Sequence, residues 1–406
     1  MNMPYTYRIL AKTIGVDRVR PGESYTFPVE RRIIYAWPAL SDWFAQMIDE
    51  RFSGEIPQSE NLYMTFDHYL PIKNAAQEDF ISQSKAWAYE KGIHVSEGEG
   101  IGHVLAIEQG WVKPGMVVPH FDTHASSFGA IGALGLGLLK EMLFPLATNH
   151  LWLEIPPLLR IDLKGHFQNG VMGRDLLHKI IRDVGLEKCG GSIIEFGGAG
   201  AVSMPLEDRI SLCNLINTTS AISAVFDLDD EECDSREYQD RIAIQLDDVE
   251  PYVAAPPSTA NVMPLSQAAG THVDMGIIGT CAGGGLRDIK MAATILRGRK
   301  IANGRSLYVV PATKHIYEEA IRLGYIEVLS EAGCFISSPT CDFCYGAATY
   351  LGAHKTAIST QTLNVNGRLG SLDANIYLAS AAAVAAALAE GEISDPRKFW
   401  KRGPAA

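Results

Sequence analysis

Short blocks of apolar, largely β-branched residues recur along the chain, each followed by small or polar residues. The clearest are "GMVVPHF" (115–121), "MGIIGTC" (275–281) and "SLYVVPA" (306–312). Blocks of this kind are typical of strands buried on both faces. Helical periodicity follows two of them, in "LRDIKMAATILRG" (286–298) and "TKHIYEEAIRLG" (313–324). The alternation predicts an α/β architecture.

The residues just after these strands are the first place to look for chemistry, because ligands of open α/β sheets bind at the carboxyl ends of strands. They are "DTH" (122–124), "CAGGG" (281–285) and "ATKH" (312–315).

Two other apolar segments predict helices. The run "FGAIGALGLGLL" (128–139) is too short for a membrane span, which needs ~20 residues, so we expect a buried core helix whose glycines bring backbone close to backbone. The Ala-rich segment "ASAAAVAAALAEG" (379–391) predicts a helix that ends at Gly391. In contrast, segment 247–270 is rich in Pro, Ala and Ser without clear periodicity and predicts a linker.

Composition narrows the functional classes. The 406 residues are 47% hydrophobic and 20% charged, as in ordinary globular proteins, and carry a net charge of −12. This charge disfavours nucleic-acid and anionic-lipid partners, which need clustered basic residues. The acidic segment "DLDDEECD" (227–234) is expected to be a solvated loop. No secretory signal is evident at the N-terminus, so we expect a cytoplasmic protein with reduced thiols.

The cysteines raise the question of a metal site. Cys341 and Cys344 have C-x-x-C spacing, and Cys281 lies in a glycine-rich turn after a predicted strand. Three thiolates are one short of saturating a four-iron cluster, and an open iron can act as a Lewis acid. Small core cysteines are the competing interpretation, whereas tetrahedral zinc would need a second cysteine pair at suitable spacing. The other four cysteines are interpreted as core or loop thiols.

Three histidine-containing stretches offer proton-transfer groups. Asp67 precedes His68, His103 follows at "GIGH", and Asp122 lies two residues before His124. A carboxylate can fix the tautomer of an imidazole and raise its pKa. Each pair, taken singly, can equally be a structural one.

In combination, the motifs resemble the aconitase superfamily, in particular its large iron–sulfur subunits of 3-isopropylmalate dehydratase type. The resemblance follows the chain in order through "RPGESYTFPVERR" (20–32), "TFDHYLP" (65–71), the stretch 100–137, "GTCAGGGLRDIKMAATILRGRK" (279–300), "PTCDFCYGA" (339–347) and "LNVNGRLGS" (363–371).

The resemblance implies a 4Fe–4S cluster held by three cysteines, Cys281, Cys341 and Cys344, with one open iron for a 2-hydroxy acid. Asp67 and His68 match the general acid for the departing hydroxyl. Residues around the iron-bound water are matched by His103, Asp122 and His124. Arg368 matches an arginine that binds the substrate carboxylate, and Asn214 matches an asparagine near the cluster.

Departures from the family pattern fall among the substrate-holding residues. Thr218 replaces a glutamate, Leu363 replaces an arginine, Tyr35–Ala36 replaces Gln-Asp, and Thr123 replaces a serine. An isobutyl group in place of a guanidinium makes a carboxylate-binding spot apolar. We therefore expect a hydroxy acid other than citrate or isopropylmalate, with fewer carboxylates or a larger apolar substituent.

The resemblance also implies an architecture and a partner. We expect three α/β domains around a cluster cleft, with approximate boundaries 1–130, 131–270 and 271–406. The family's fourth, swivelling domain has no counterpart after residue 395, so a small swivel-domain subunit is the expected partner. The predicted activity is that of a hydro-lyase large subunit. The alternative is a non-catalytic, cluster-carrying or regulatory homologue.

Overall fold

A computed structural model describes residues 3–38, 40–229, 233 and 235–400. Residues 230–232 and 234 of the acidic segment lie outside the described residues. The chain divides into two compact units. The first comprises residues 1–164 and 186–244, and the second comprises residues 165–185 and 245–406.

The first unit contains sheets of two, five and four strands. Its strands are β1 (Ser24–Pro28), β2 (Arg32–Tyr35), β3 (Leu62–Phe66), β4 (His94–Glu97), β5 (Val117–His120), β6 (Leu134–Gly137), β7 (His150–Glu154), β8 (Leu158–Lys164), β9 (Ile193–Gly197), β10 (Ser223–Phe226) and β11 (Asp240–Gln245). Its helices are α1 (Tyr5–Ile14), α2 (Leu40–Arg51), α3 (Ala75–Glu90), α4 (Gly102–Glu108), α5 (Leu143–Thr148), α7 (Leu186–Cys189), α8 (Ala199–Ser203) and α9 (Leu206–Asn214).

The five-stranded sheet of this unit is parallel throughout, in the order β4-β3-β2-β5-β6. The four-stranded sheet has the order β10-β9-β8-β11, and its first three strands are parallel. The two-stranded sheet pairs β1 with β7 in antiparallel register. The carboxyl ends of parallel strands lie at one edge of their sheet, so the residues that follow β2, β3 and β5 lie at the same edge.

The second unit is built on a seven-stranded sheet with the order β13-β12-β18-β17-β14-β15-β16. Its strands are β12 (Tyr252–Ala254), β13 (Val262–Pro264), β14 (Met275–Gly279), β15 (Ser306–Val310), β16 (Phe335–Ile336), β17 (Thr356–Ser359) and β18 (Asn375–Ala379). Its helices are α6 (Gly173–Asp183), α10 (Leu265–Ala268), α11 (Leu286–Leu296), α12 (Lys314–Arg322), α13 (Tyr325–Ala332) and α14 (Ala381–Glu390).

Both faces of this sheet are covered by apolar residues. Ile278 of β14 packs in one core cluster with residues of α11 and α14, whereas its neighbour Ile277 packs in another cluster on the opposite face. Side chains alternate between faces along a strand, so a continuous apolar run fills two cores. The three predicted strands and the three predicted helices 286–298, 313–324 and 379–391 are confirmed as β5, β14, β15, α11, α12 and α14.

The predicted core helix at 128–139 is wrong. The segment instead contains the end of a 3₁₀ helix (Thr123–Ile131) and strand β6. Gly132, with φ of 77°, separates the two elements in a left-handed conformation that glycine adopts without strain. The expected close backbone approach is confirmed, since a Cβ on Gly129 would lie 1.9 Å from the carbonyl oxygen of Ala224.

The predicted linker at 247–270 is also wrong. Strands β12 and β13 and helix α10 lie within it, and both strands pair in antiparallel register at one edge of the seven-stranded sheet. Proline is tolerated at such edges, which explains why the composition looked like that of a loop.

The boundaries of three domains stay a prediction. Strands of the five-, four- and seven-stranded sheets come from residues 32–137, 158–245 and 252–379. Among the described residues, no helix combines the length and the apolar character that a bilayer span requires.

Candidate functional site

The predicted acid–base residues of the first unit lie at the carboxyl edge of the five-stranded sheet. Tyr35 is the last residue of β2, Asp67 directly follows β3, and Asp122 comes two residues after β5 ends. The tertiary structure therefore brings together stretches that lie 32 and 55 residues apart in sequence.

Asp67 and His68 form a buried pair. His68 Nδ1 lies 2.7 Å from Asp67 Oδ1, and the backbone N–H of Gly102, the first residue of α4, donates to Asp67 Oδ2 at 2.9 Å. Burial alone would raise the pKa of Asp67, but the charge and hydrogen bond of His68, together with the Gly102 N–H, lower it below its usual value. Asp67 is thus held as a carboxylate, which favours the His68 tautomer with its proton on Nδ1.

His103, Asp122 and His124 form a second cluster. His124 Nδ1 lies 2.8 Å from Asp122 Oδ1, which also accepts the backbone N–H of His124 at 2.9 Å, and His103 Nδ1 lies 3.9 Å from Asp122 Oδ2. Burial raises the pKa of Asp122, but the three neighbouring histidines more than offset it and the pKa falls. Burial lowers the pKa of His103 to about 3, so its ring is neutral at pH 7.

His120 lies beneath this cluster, and no sequence motif identified it. It is 1% exposed, its ring stacks on Phe128 with centroids 5.9 Å apart, and its ring centroid is 6.0 Å from that of His103. Burial lowers its pKa to about 4. It is the last residue of β5, and only the strand's position next to β2 shows that it underlies the acid–base residues.

Aromatic rings flank His68. The Tyr35 ring stacks on His68 with centroids 4.9 Å apart, and the Trp37 ring meets it edge-on at 4.8 Å. Tyr35 was identified as a departure from the family pattern, whereas Trp37 was missed because no motif contains it. The two aromatic rings therefore give the His68 imidazole apolar surroundings.

The other predicted substrate residues of this unit have different environments. Thr123 is exposed beside the Asp122–His124 pair. Asn214 is fully buried, and its side-chain amide donates to Ser127 Oγ at 3.0 Å, within the 3₁₀ helix that begins at Thr123. Thr218 Oγ donates to the carbonyl oxygen of Leu215 at 2.7 Å. In this structure Asn214 therefore positions the segment that carries Thr123 and His124.

The three predicted cluster cysteines all belong to the second unit. Cys281 follows β14, while Cys341 and Cys344 close one turn in which Cys344 N–H donates to the Cys341 carbonyl at 2.9 Å. Cys281 and Cys344 are buried, Cys341 is half-buried, and none of the three is in a disulfide in the described part of the chain.

Both cysteine segments pack on residues 360–362, which follow β17. The N–H of Gly279, at the end of β14, donates to Thr360 Oγ1 at 2.8 Å, and Cys344 Sγ lies 3.4 Å from Thr362 Oγ1. Since β14 and β17 are neighbouring parallel strands, the segments meet at one sheet edge. The glycine-rich sequence after Cys281 permits this approach, because a Cβ on Gly283 would lie 2.3 Å from Thr360 Cβ.

Two arginines lie near these thiols. Arg368 Nε donates to the Cys344 carbonyl at 2.9 Å, with its Nη2 3.6 Å from Cys344 Sγ. Arg174 was missed by sequence reasoning; it is 3% exposed and donates to the carbonyls of Thr360 and Gln361. Burial lowers the pKa of Arg174 to about 10, although Asp288, Asp175, Cys281 and Cys344 raise it, and it remains cationic at pH 7.

Leu363 is among the exposed large apolar residues, at 37% exposure, at the end of the 360–362 segment. Its side chain is thus available at the surface of the second unit, on the same segment that contacts Cys344.

Comparison with known proteins places these features in a family. A sequence model of the aconitase family (aconitate hydratase) matches residues 65–235 and 231–391. The large subunit 2 of 3-isopropylmalate dehydratase from Rubrobacter xylanophilus is 34% identical, over 97% of this chain and 98% of that protein. A probable methanogen homoaconitase large subunit from Methanothermobacter thermautotrophicus is 29% identical, over 98% of each chain.

A solved structure shares the fold. Aconitase X of Thermococcus kodakaraensis, in its holo-form, superposes with a TM-score of 0.53 over 88% of this chain and 87% of that chain, at 13% identity. The α/β fold expected from the sequence is confirmed by this likeness. The family model matches most of the chain, and the Rubrobacter relative is 34% identical to it. The chain therefore belongs to the aconitase family.

Proposed function

We propose that the chain is the large subunit of a hydro-lyase that removes water from a 2-hydroxy carboxylic acid. Family membership supports the reaction class, since relatives of similar length are 3-isopropylmalate dehydratase and homoaconitase large subunits. The observation that carries the proposal is the buried Asp67–His68 pair, with 2.7 Å between Nδ1 and Oδ1. A purely cluster-carrying homologue would not need such a pair.

In the proposed reaction, His68 protonates the departing hydroxyl. Hydroxide is a poor leaving group, so its loss requires a proton donor. Asp67 engages Nδ1, which leaves Nε2 as the ring nitrogen that exchanges a proton with the substrate. The carboxylate stabilises the imidazolium before transfer, and afterwards it keeps the neutral ring in one tautomer.

The second cluster would hold the released water. Asp122 stays ionised and accepts from His124 Nδ1, which fixes that ring with Nε2 as its remaining polar atom. His103, neutral at pH 7, adds a ring that can donate or accept a hydrogen bond. These groups can orient water, and His103 does so without adding a positive charge.

Cys281, Cys341 and Cys344 would hold a 4Fe–4S cluster. The donor set fits this group, because three cysteine thiols of one unit lie on segments that pack on residues 360–362, beside the cations Arg174 and Arg368. Cationic neighbours favour the thiolate form that ligates metal. A cluster with three cysteine ligands supplies an open iron, which polarises a hydroxyl as a Lewis acid.

The proposed substrate is a hydroxy acid other than citrate or isopropylmalate. Leu363 supplies an exposed apolar side chain where the family pattern has an arginine, and Tyr35 and Trp37 border His68 with aromatic rings. These residues favour a substrate with an apolar substituent over one with an additional carboxylate.

The proposed partner is a small swivel-domain subunit. The relatives are named large subunits, and the chain spans 98% of the Rubrobacter protein.

A cytoplasmic location stays a prediction from the sequence.

The test is anaerobic reconstitution of the chain with iron and sulfide, followed by assay of a hydroxy-acid panel with and without a candidate small subunit. We expect about four irons per chain, lost when Cys344→Ala is reconstituted and kept in Cys334→Ala. We also expect turnover of a hydroxy acid with an apolar substituent. A full cluster without turnover of any hydroxy acid would favour the non-catalytic alternative, and normal rates with isopropylmalate or citrate would contradict the proposed substrate class.

A further inference from the structure

A cleft in the first unit lies away from the acid–base residues. It has a volume of about 570 Å³, within the range of small-molecule sites. The side chains that define its chemistry are Lys12, Arg31, Lys113, Glu30, Asn61 and Asn149.

The cleft occupies the amino edge of the five-stranded sheet. Arg31 directly precedes β2, Asn61 directly precedes β3, and Met116, which also lines the cleft, directly precedes β5. The acid–base residues follow the same strands at the carboxyl edge. Strands of four or five residues at about 3.3 Å per residue separate the two edges by roughly 13–17 Å. The cleft is therefore a site distinct from the one that contains Asp67 and His68.

In the described part of the chain, three cations of the cleft have no carboxylate partner. Within the part of the chain that the structure describes, Lys12, Arg31 and Lys113 make no ion pair. Other basic residues of this acidic protein commonly do, as in Lys85–Glu97 and Lys91–Asp49. With Glu30 as a carboxylate of the same cleft, three cations against one anion leave the lining with an excess of positive charge, which a bound anion offsets.

Arg31 contacts its neighbours through hydrogen bonds and an aromatic ring. Its Nη1 donates to Asn61 Oδ1 at 2.6 Å and to the Glu30 carbonyl at 2.9 Å, and its guanidinium lies over the Tyr63 ring at 5.8 Å. Its Nε is buried without a hydrogen-bond partner among the described residues. Its Nη2 donates to no acceptor among the described residues, and a guanidinium with an available Nη2 is suited to carboxylate or phosphate oxygens.

Asn149 provides a buried polar group at the wall of the cleft. It is 3% exposed, caps the C-terminus of α5 with a φ of 57°, and its backbone carbonyl accepts from Val29 N–H at 3.1 Å. Within the described residues, its side-chain amide makes no hydrogen bond, and Oδ1 is completely enclosed. The amide nitrogen is not among the enclosed atoms, so it is the part of this side chain that can donate to a bound molecule.

We propose that the cleft binds a small organic dianion, with carboxylate or phosphate groups held by Lys12, Arg31 and Lys113. The one carboxylate, Glu30, is exposed and suits a hydroxyl group of the same ligand. Asn149 adds a neutral contact at the inner wall. This site does not depend on the cysteines or on the acid–base residues.

Isothermal titration calorimetry at low salt, with inorganic phosphate and with succinate as separate probes, tests the proposal. Succinate lacks a hydroxyl and so cannot undergo the proposed elimination. We expect saturable binding of one molecule per chain for at least one probe. Lys113→Gln and Arg31→Gln should each weaken it about tenfold or more, as expected for a lost charge-assisted hydrogen bond.

The controls separate this site from others. Lys290→Gln, an exposed lysine of the second unit, and Asp67→Asn should both leave the affinity unchanged. The Lys113 side chain is exposed, so Lys113→Gln remains informative if Arg31→Gln fails to fold. Tighter phosphate binding would identify a phosphate-bearing ligand, and tighter succinate binding a dicarboxylate. Absence of saturable binding, or equal affinity in Lys113→Gln and the natural protein, would overturn the proposal.

Discussion

Asp67 shows how a residue's environment sets its charge. The side chain is only 3% exposed, and burial by itself would favour the neutral acid. Two partners prevent this, since His68 and the Gly102 N–H both bind the carboxylate. The carboxylate state is what allows Asp67 to control the tautomer of His68.

Replacing Asp67 with asparagine should remove that control with little change of shape. In Asp67→Asn we expect kcat to fall about a hundredfold or more, because general acid catalysis contributes 10²–10⁴-fold. Steady-state kinetics of the reconstituted protein with the hydroxy acid identified by the panel gives the measurement. Asp79→Asn, on the exposed face of α3, is the matched control. A kcat within twofold of the natural protein would argue against the acid role of His68.

His120 should make stability depend on pH. Burial lowers its pKa in the folded state to about 4, below the 6.5 of an unperturbed histidine, although Asp122 and Asp67 nearby raise it and His124 lowers it. Between pH 6.5 and pH 4 the unfolded chain binds the additional proton, so the free energy of unfolding falls as pH falls through this range. At pH 5 the titration of His120 lowers the free energy of unfolding by about 2 kcal/mol.

Urea denaturation at pH 7 and pH 5 measures this effect. From pH 7 to pH 5, the free energy of unfolding of His120→Gln should fall by about 2 kcal/mol less than that of the natural protein. His315→Gln, an exposed histidine on α12, should lose as much as the natural protein does. Identical pH dependence in all three proteins would show that His120 titrates normally.

At the scale of elements, glycines decide how segment 123–137 folds. A Cβ atom on Gly129 would lie 1.9 Å from the carbonyl oxygen of Ala224, and a Cβ atom on Gly135 would lie 1.9 Å from that of Ala125. The absence of side chains lets a 3₁₀ helix and β6 pack directly against neighbouring backbone.

A single methyl group should disrupt this packing. In Gly129→Ala the backbone of the 3₁₀ helix or of β10 must shift, and we expect a loss of unfolding free energy of about 3 kcal/mol. The urea midpoint compared with that of Gly352→Ala provides the measurement. Gly352 has an ordinary φ, and its nearest contact is a lysine side-chain atom at 3.8 Å. Equal midpoints would mean that the two elements do not pack this closely in solution.

At the scale of the whole molecule, buried charge holds the N-terminal helix in the first unit. Glu195 of β9 is fully buried; it accepts the N–H and the hydroxyl of Thr6 at 2.8 Å each and pairs with Arg160 Nη1 at 2.9 Å. Tyr238 OH donates to the same carboxylate, and Asp227 also pairs with Arg160. This network joins α1, β8 and β9.

Neutralising Glu195 should destabilise the protein strongly. Glu195→Gln leaves the charge of Arg160 partly uncompensated in a buried place, and we expect a loss of about 3 kcal/mol. The control is Glu97→Gln, because exposed pairs such as Lys85–Glu97 contribute at most about 1 kcal/mol. Thermal and urea unfolding of both variants provide the comparison. A smaller effect at Glu195 than at Glu97 would contradict the structural role of the network.

Much of the fold could be predicted from the sequence where the signal is local. Apolar blocks such as 275–281 form strands because continuous β-branched residues fill cores on both sheet faces. The helix at 381–390 ends at Gly391, which takes the left-handed C-cap. The two errors, at 128–139 and 247–270, arose where packing and edge pairing outweighed composition.

The candidate site could be predicted only as separate motifs. Asp67–His68, Asp122–His124 and the C-x-x-C of Cys341 and Cys344 are visible because their members are neighbours in sequence. Trp37 and Arg174 were not identified, and His120, although next to the predicted strand end, was given no role, because each acquires its place through contacts with residues distant in sequence. No local pattern encodes such contacts.

The sequence by itself determined the net charge, the side chains able to do the chemistry and the element types where the signal is local, since these depend on residue identity and near neighbours. The tertiary structure alone decided which strand ends share an edge, which groups are buried enough to change their pKa, and where Lys12, Arg31 and Lys113 meet in one cleft. Those properties arise from strand order and burial, which are set by contacts across the chain rather than along it.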